Sequence, residues 1–323
     1  MKTLSEIQQI IETEIRGLEW HKEPYGLYEP IEYTLSLGGK RVRPALALMA
    51  TDMFAENMAY ALAPALALEI FHNFTLLHDD VMDKADVRRG MPTVHKKWDE
   101  NTAILSGDQM LIEAYRMIAK SSGNHLKPLL DLFTDMASEI CEGQQYDMEF
   151  EQRMDVTIDE YINMIRLKTA VLLGTSLKIG GIIANTSELN QQELYNFGIN
   201  IGLAFQLKDD YLDVYGTEET FGKAIGGDIL CNKKTFLLIN ALQSATDETK
   251  QELDKWLSEN NNSAEKIAAV TAIYNKLGID EKCKEAIAYY HTCALKNLDN
   301  VTLPDDRKSE LRALTQKLMK REE

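Results

Sequence analysis

Cysteine is scarce in this sequence: four residues among 323, Cys141, Cys231, Cys283 and Cys293, with no CxxC pair and no histidine at zinc-finger spacing. That argues against a disulfide-stapled scaffold and a structural zinc site, and it fits reduced thiols in a cytoplasmic protein. Positive charge is short as well. Lys and Arg number 35 against 51 Asp and Glu, a net charge of −16, which speaks against a general nucleic-acid or anionic-membrane surface. Any anionic ligand must therefore be met by a local cluster of cations. No uninterrupted apolar run reaches the roughly 18 residues of a membrane span, so no integral membrane segment is expected. The first twenty residues carry acids inside their apolar pattern and lack the apolar core and cleavage site of a signal peptide.

Alternating, strand-like runs are nearly missing too. Apolar residues instead recur at helical spacing in "LSEIQQIIETEI", "AILSGDQMLIEAYRMIAK", "YINMIRLKTAVLLGTSLKIGGIIA" and "SELRALTQKLMK". Breakers fall between such segments, at Pro24 to Pro30, Gly38-Gly39, Gly90 to Pro92, Ser121 to Asn124, Thr217 to Gly227 and Asn260 to Ser263. No Pro/Ser-rich linker, charge block or internal repeat divides the chain. The pattern predicts an all-α protein, one domain over residues 1–323, long enough to bury a sizeable core. Two stretches, Leu62 to Val81 and Leu194 to Tyr215, are apolar on nearly every side and read as helices central to a large bundle. Both end in acids.

Those acids share one form. "DDVMD" supplies Asp79, Asp80 and Asp83, and "DDYLD" supplies Asp209, Asp210 and Asp213. Positions i and i+4 project on one helix face, so Asp79 with Asp83, and Asp209 with Asp213, each offer two carboxylates to one site. Their repulsion calls for a cation, and a hard divalent ion with oxygen ligands, Mg²⁺ foremost, answers it. A calcium loop fits poorly, because its sixth position falls on Lys84 or Val214 where glycine is needed. A single DDxxD is more often a solvated helix end. Two copies closing two unusually apolar helices reverse that reading, and acids at a helix C-terminus oppose the macrodipole, so stabilisation does not explain them.

Cations gather in the same segments: Lys40, Arg41 and Arg43 in "GGKRVRP", Arg88 and Arg89 in "DVRRG", Lys168 in "RLKTA", Lys223 in "TFGKAIGGD", and Lys233 and Lys234 in "CNKKTF". "GGKRVRP" is not a P-loop, since it lacks the upstream glycine and the Ser or Thr after the lysine. With two carboxylate sets nearby, these cations point to a polyanionic phosphate ligand bridged by metal and held by arginine forks.

In order and spacing, "GGKRVRP", "LLHDDVMDKADVRRG", "GQQYD", "LKTA", "FQLKDDYLD", "FGKAIGGD" and the following "KKT" resemble the successive motifs of the trans-isoprenyl diphosphate synthases over roughly residues 38 to 236. The resemblance implies a helical bundle around a central tunnel and a Mg²⁺-dependent prenyltransferase. It would join isopentenyl diphosphate to an allylic diphosphate, giving farnesyl or geranylgeranyl diphosphate. It assigns Asp79, Asp80, Asp83, Asp209 and Asp213 to the metal. Arg88, Lys168, Lys223 and Lys233 fall to the allylic diphosphate, and Lys40, Arg43, His72 and Arg89 to isopentenyl diphosphate. Lys168, Thr169 and Gln206 make the catalytic set, the last two being uncharged polar groups beside the tunnel mouth that match positions whose dipoles stabilise the cation. His78 reads equally as a packed histidine behind the site. The family also implies a cytoplasmic homodimer.

Two alternatives have signatures of their own. A class I terpene cyclase keeps one DDxxD and needs no second diphosphate site, whereas a noncatalytic subunit carries substituted aspartates, and neither pattern is present. Product length is tied to geometry: each helical turn upstream of Asp79 spans about 5.4 Å, close to one isoprene unit. Phe74, Thr75 and Phe71 are therefore the expected chain-length residues, with Phe74 as a floor.

Overall fold

The computed structural model describes residues 1–55, 57–217, 225–258 and 263–319. The chain opens with α1 (Leu4–Arg16), α2 (Tyr25–Ser36), α3 (Val42–Phe54) and α4 (Ala59–Met82), followed by a two-strand hairpin of β1 (Val87–Arg88) and β2 (Met91–Pro92). Next come α5 (Val94–Lys97), α6 (Glu100–Ala119), α7 (Gly123–Glu151) and α8 (Ile158–Ile165). A π-helical segment, Arg166–Ala170, leads into α9 (Val171–Ile183), and then α10 (Glu188–Tyr215). The rest comprises α11 (Gly227–Leu230), α12 (Phe236–Ser244), α13 (Asp247–Ser258), α14 (Ala264–Lys276), α15 (Ile279–Asn300) and α16 (Ser309–Met319). The protein is all-α, as the periodicity predicts. Among the described residues the hairpin is the only sheet.

Two compact units emerge, each assembled from separated stretches. Unit 1 contains Met1–Thr134, Thr175–Leu194 and Thr302–Glu310; unit 2 contains Asp135–Gly174, Tyr195–Val301 and the chain from Leu311 onward. In unit 1, α4 packs against α3 and α6. Every residue from Pro64 to Phe71 is buried, which is what a helix apolar on all sides requires. By length and mean hydropathy α4 could cross a membrane, but 61% of the qualifying window is buried by the protein's own helices. Polar positions Glu69, His72 and Asn73 interrupt it, which explains why no unbroken apolar run exists in the sequence.

Local signals set the ends of these helices. Thr3 and Glu6 form a capping box on α1, and Thr157 and Glu160 another on α8. Arg41, in the left-handed region at φ 47°, precedes α3. Its guanidinium, 3% exposed, donates to Glu12 and Glu69 at 2.6 Å each and to the Leu35 carbonyl at 2.8 Å, so one side chain ties α1, α2 and α4 together. The core of unit 2 is built by Phe150, Tyr161, Ile165, Leu203, Leu207, Phe236 and Tyr274, among others. Burying each such aromatic contributes about 2–3 kcal/mol.

Candidate active site

Unit 1 carries the first acidic motif at the C-terminal end of α4. Asp83 is the cap residue, and its amide donates to the Asp79 carbonyl at 2.8 Å, which leaves the two carboxylates one turn apart. Asp79 is half-buried and Asp83 exposed, whereas Asp80, one position on, is 4% exposed. The hairpin that follows returns Arg88 to it. Arg88 Nε donates to Asp80 Oδ1 and Oδ2 at 2.9 and 2.8 Å, and Nη2 lies 2.7 Å from Oδ1. Asp80 is thus engaged by the protein itself, and Asp79 with Asp83 form the pair on the accessible face.

The neighbouring arginine turns the other way. Arg89, at φ 53°, donates to the Gly38 carbonyl. Its guanidinium lies over Gly39, where an added Cβ would stand 3.1 Å from Nη2. That close approach, with Gly38 at φ 78° and Gly39 at φ 151°, accounts for the glycine pair. Around His72 the charges are unbalanced. Burial, helped by Arg43, Arg89, Arg88 and Arg41, holds His72 well below the ordinary imidazole value, so it is neutral. Burial pushes Arg43 down to about 10, with Glu69 opposing and Arg89 adding to the shift. The Arg43 Nε is buried without a hydrogen-bond partner. Lys40 is exposed beside this cluster in sequence. Such a group of desolvated cations is suited to an anion.

Upstream on α4, Phe71 is buried and Phe74 half-buried, their rings 5.4 Å apart in edge contact. The chain of rings continues from Phe71 to Phe133 (5.3 Å) and on to Tyr115 (5.1 Å), and at the other end from Phe74 to His78 (4.8 Å). Thr75 Oγ1 donates to the His72 carbonyl at 2.8 Å. His78 Nε2 stands 3.0 Å from the Ile104 carbonyl, which only accepts, so Nε2 carries the proton. A Cβ on Gly107 would lie 2.2 Å from that nitrogen. His78 is a packed histidine behind the acidic motif.

Unit 2 holds the remaining motifs. Lys168 and Thr169 sit in the π-helical segment, a distortion that recurs at functional sites because it redirects side chains within a helix. Lys168 Nζ lies 2.5 Å from Asp147 Oδ2. α7 presents Gly143 to the backbone of this segment, where a Cβ would be 2.3 Å from the Lys168 main-chain nitrogen. Thr169 Oγ1 donates to Gln206 Oε1 at 3.4 Å, so the two uncharged dipoles expected together are in contact.

In the second acidic motif two of the three aspartates are buried. Asp209 is half-buried, while Asp210 is 4% exposed and is held by the Tyr161 hydroxyl, by Gln206 Nε2 at 3.3 Å and by the Phe236 amide at 3.3 Å. Asp213 is buried and accepts the Asp228 amide at 3.0 Å through Oδ2. Burial first, then the Asp228 carboxylate, pushes Asp210 up to about 7 and Asp213 up to about 6. Lys233 opposes both shifts and is exposed. Lys223 lies outside the described residues.

Three participants had no assigned role in the sequence reading: Asp147, Tyr161 and Glu69. Asp147 could have been found, since it closes "GQQYD". Tyr161 stands in no motif. Among the described residues no three acidic, histidine or cysteine side chains converge as a metal cage. Carboxylate pairs of this kind fit an ion such as Mg²⁺, which keeps several waters and takes further oxygens from a phosphate.

Over most of its length the chain is similar to known proteins. Residues 24–275 match the family model described as polyprenyl synthetase. The chain is 41% identical over 222 residues to the geranylgeranyl diphosphate synthase of Methanosarcina mazei, covering 68% of each protein. A solved geranylgeranyl pyrophosphate synthase superposes with a TM-score of 0.95 at 44% identity, over all of both chains. The Corynebacterium glutamicum geranylgeranyl pyrophosphate synthase, solved with isoprenyl diphosphate and magnesium, gives 0.83 at 29% identity, covering 98% of this chain and 96% of that one.

Proposed function

The chain belongs to the polyprenyl synthetase family and is a prenyltransferase, and from this premise we propose that it condenses isopentenyl diphosphate with allylic diphosphates up to geranylgeranyl diphosphate. The observation that carries the reading is the Asp79–Asp83 pair one turn apart at the end of α4, with Asp80 between them bound by Arg88, together with the equally spaced Asp209–Asp213 pair on α10, with Asp210 bound by Tyr161.

Asp79 and Asp83 on α4 would hold Mg²⁺, and so would Asp209 and Asp213 on α10. When bound, the metal neutralises the departing diphosphate and so favours ionisation of the allylic C–O bond. Lys168, Lys233 and Arg88 bind the outer phosphate oxygens of that substrate, and we assign Lys223 the same role from its motif. Arg43, Arg89, Lys40 and neutral His72 bind isopentenyl diphosphate, for which the unpartnered Arg43 Nε supplies a ready donor. Thr169 and Gln206 turn dipoles toward the allylic cation without offering a strong nucleophile that would trap it. The electron pair of the C–O bond leaves with diphosphate, the double bond of isopentenyl diphosphate forms the new C–C bond, and the proton lost from the product cation passes to diphosphate.

We read residues 1–323 as one cytoplasmic catalytic domain. A second copy would cover the apolar stripe on α6, where Ile104, Leu105 and Ile112 are 45%, 60% and 50% exposed. Incubating the protein with isopentenyl and farnesyl diphosphates and Mg²⁺ should yield geranylgeranyl diphosphate and inorganic diphosphate. A cyclic hydrocarbon, or no consumption of isopentenyl diphosphate, would overturn the reading.

A further inference from the structure

Tyr161 is a core residue, 2% exposed, on α8, and has no role assigned above in binding substrate or metal. Its hydroxyl nevertheless donates to Asp210 Oδ2, which also receives the Phe236 amide at 3.3 Å. The other carboxylate oxygen, Oδ1, receives Gln206 Nε2 at 3.3 Å, and Gln206 Oε1 accepts from Thr169 at 3.4 Å. Four side chains thus form one line of hydrogen bonds, Tyr161 to Asp210 to Gln206 to Thr169.

The direction of this line matters, because a glutamine amide is nearly symmetrical in shape. Its oxygen and nitrogen exchange places on a half-turn, and only their partners decide which faces where. Here Gln206 Nε2 donates to Asp210 Oδ1 and Oε1 accepts the Thr169 hydroxyl, so the amide nitrogen faces Asp210 and the carbonyl oxygen lies on the Thr169 side. Burial and the adjacent Asp210 raise the Tyr161 hydroxyl well above the usual phenol value, so it stays a donor. With Tyr161 and the Phe236 amide both on Oδ2, the carboxylate cannot rotate freely, and Oδ1 stays aimed at Gln206.

We propose that Tyr161 is a positioning residue for the transfer step, acting through Asp210 to fix the direction of the Gln206 carbonyl dipole. A carbonyl oxygen beside the allylic cation stabilises positive charge, whereas an NH₂ group in its place opposes it. The proposal rests on the prenyl-transfer reading of the site.

The test compares Tyr161→Phe, Gln206→Ala and the double variant with the wild type in steady-state kinetics, alongside thermal unfolding. Tyr161→Phe keeps the buried ring and removes only the hydroxyl. Its kcat should fall about 10- to 100-fold, the scale of a displaced catalytic group, with KM for isopentenyl diphosphate within about twofold of wild type. In the Gln206→Ala background the same change should lower kcat no further, because residues acting as a unit are non-additive. Wild-type kcat in Tyr161→Phe, or losses that multiply in the double variant, would overturn the proposal. Should Tyr161→Phe not fold, Asp210→Asn addresses the same point. An asparagine that keeps its oxygen on Tyr161 turns an NH₂ toward Gln206 and reverses that amide, so kcat should drop to or below the level of Gln206→Ala with the magnesium requirement unshifted. Wild-type turnover in Asp210→Asn contradicts the inference. A wild type that makes no prenyl product would instead refute the underlying reading.

Discussion

Arg88 reaches back from the hairpin to hold Asp80 through Nε and Nη2 at 2.7 to 2.9 Å, so the middle aspartate of the first DDxxD is occupied by the protein itself. Adjacent residues on a helix project about 100° apart. Asp79 and Asp80 can therefore have opposite duties one bond apart.

This division separates two substitutions. Asp79→Ala should lower turnover by orders of magnitude and leave unfolding nearly unchanged, since its carboxylate serves the metal. Asp80→Ala should cost about 1–3 kcal/mol of stability, less than a fully buried pair because Arg88 is 30% exposed. Denaturant unfolding and initial rates on both variants check this, and equal stability losses would contradict it.

The cation clusters make a second contrast. Arg43→Gln removes a desolvated guanidinium from the His72 group and should chiefly raise KM for isopentenyl diphosphate. Lys233→Ala should weaken the allylic substrate instead. Initial rates with each substrate varied in turn read both effects, and the reverse pattern would mean that the two diphosphate sites are exchanged.

How much of this was legible in the sequence depends on the scale. Helices α4 and α10 and their acidic ends follow from apolar residues on every face, and the stretches read as Leu62 to Val81 and Leu194 to Tyr215 lie within Ala59–Met82 and Glu188–Tyr215. The split between Asp79 and Asp80 was not legible. Two neighbouring aspartates look alike until packing buries one of them and brings an arginine to it. Tyr161 was hidden for a similar reason, because its partner Asp210 is 49 positions away. The π-helical turn that carries Lys168 and Thr169 leaves no periodic signal in five residues.

His72 links the site to pH. Its folded value lies below that of the unfolded chain, so the unfolded state binds the extra proton and stability is lost as pH falls through about 6.5. Wild type should therefore lose more melting temperature between pH 7 and pH 5 than His72→Gln, which has no proton to gain. Parallel curves for the two proteins would contradict a neutral buried imidazole.

We propose that chain length is set on α4. Phe74, half-buried and in edge contact with the buried Phe71, belongs to a row of rings that continues to Phe133 and Tyr115. Phe74→Ala should shift the products beyond geranylgeranyl diphosphate, and chromatography of the dephosphorylated alcohols reads the change. An unaltered product spectrum would remove Phe74 from the floor without touching the reaction.

The central claim is successive head-to-tail condensation ending at geranylgeranyl diphosphate, and a time course from dimethylallyl diphosphate with excess isopentenyl diphosphate and Mg²⁺ tests it most directly. Geranyl and farnesyl diphosphates should rise and decline while geranylgeranyl diphosphate accumulates, and chelating the metal should halt all three. No incorporation of isopentenyl diphosphate, or incorporation that persists with the metal chelated, would contradict the account.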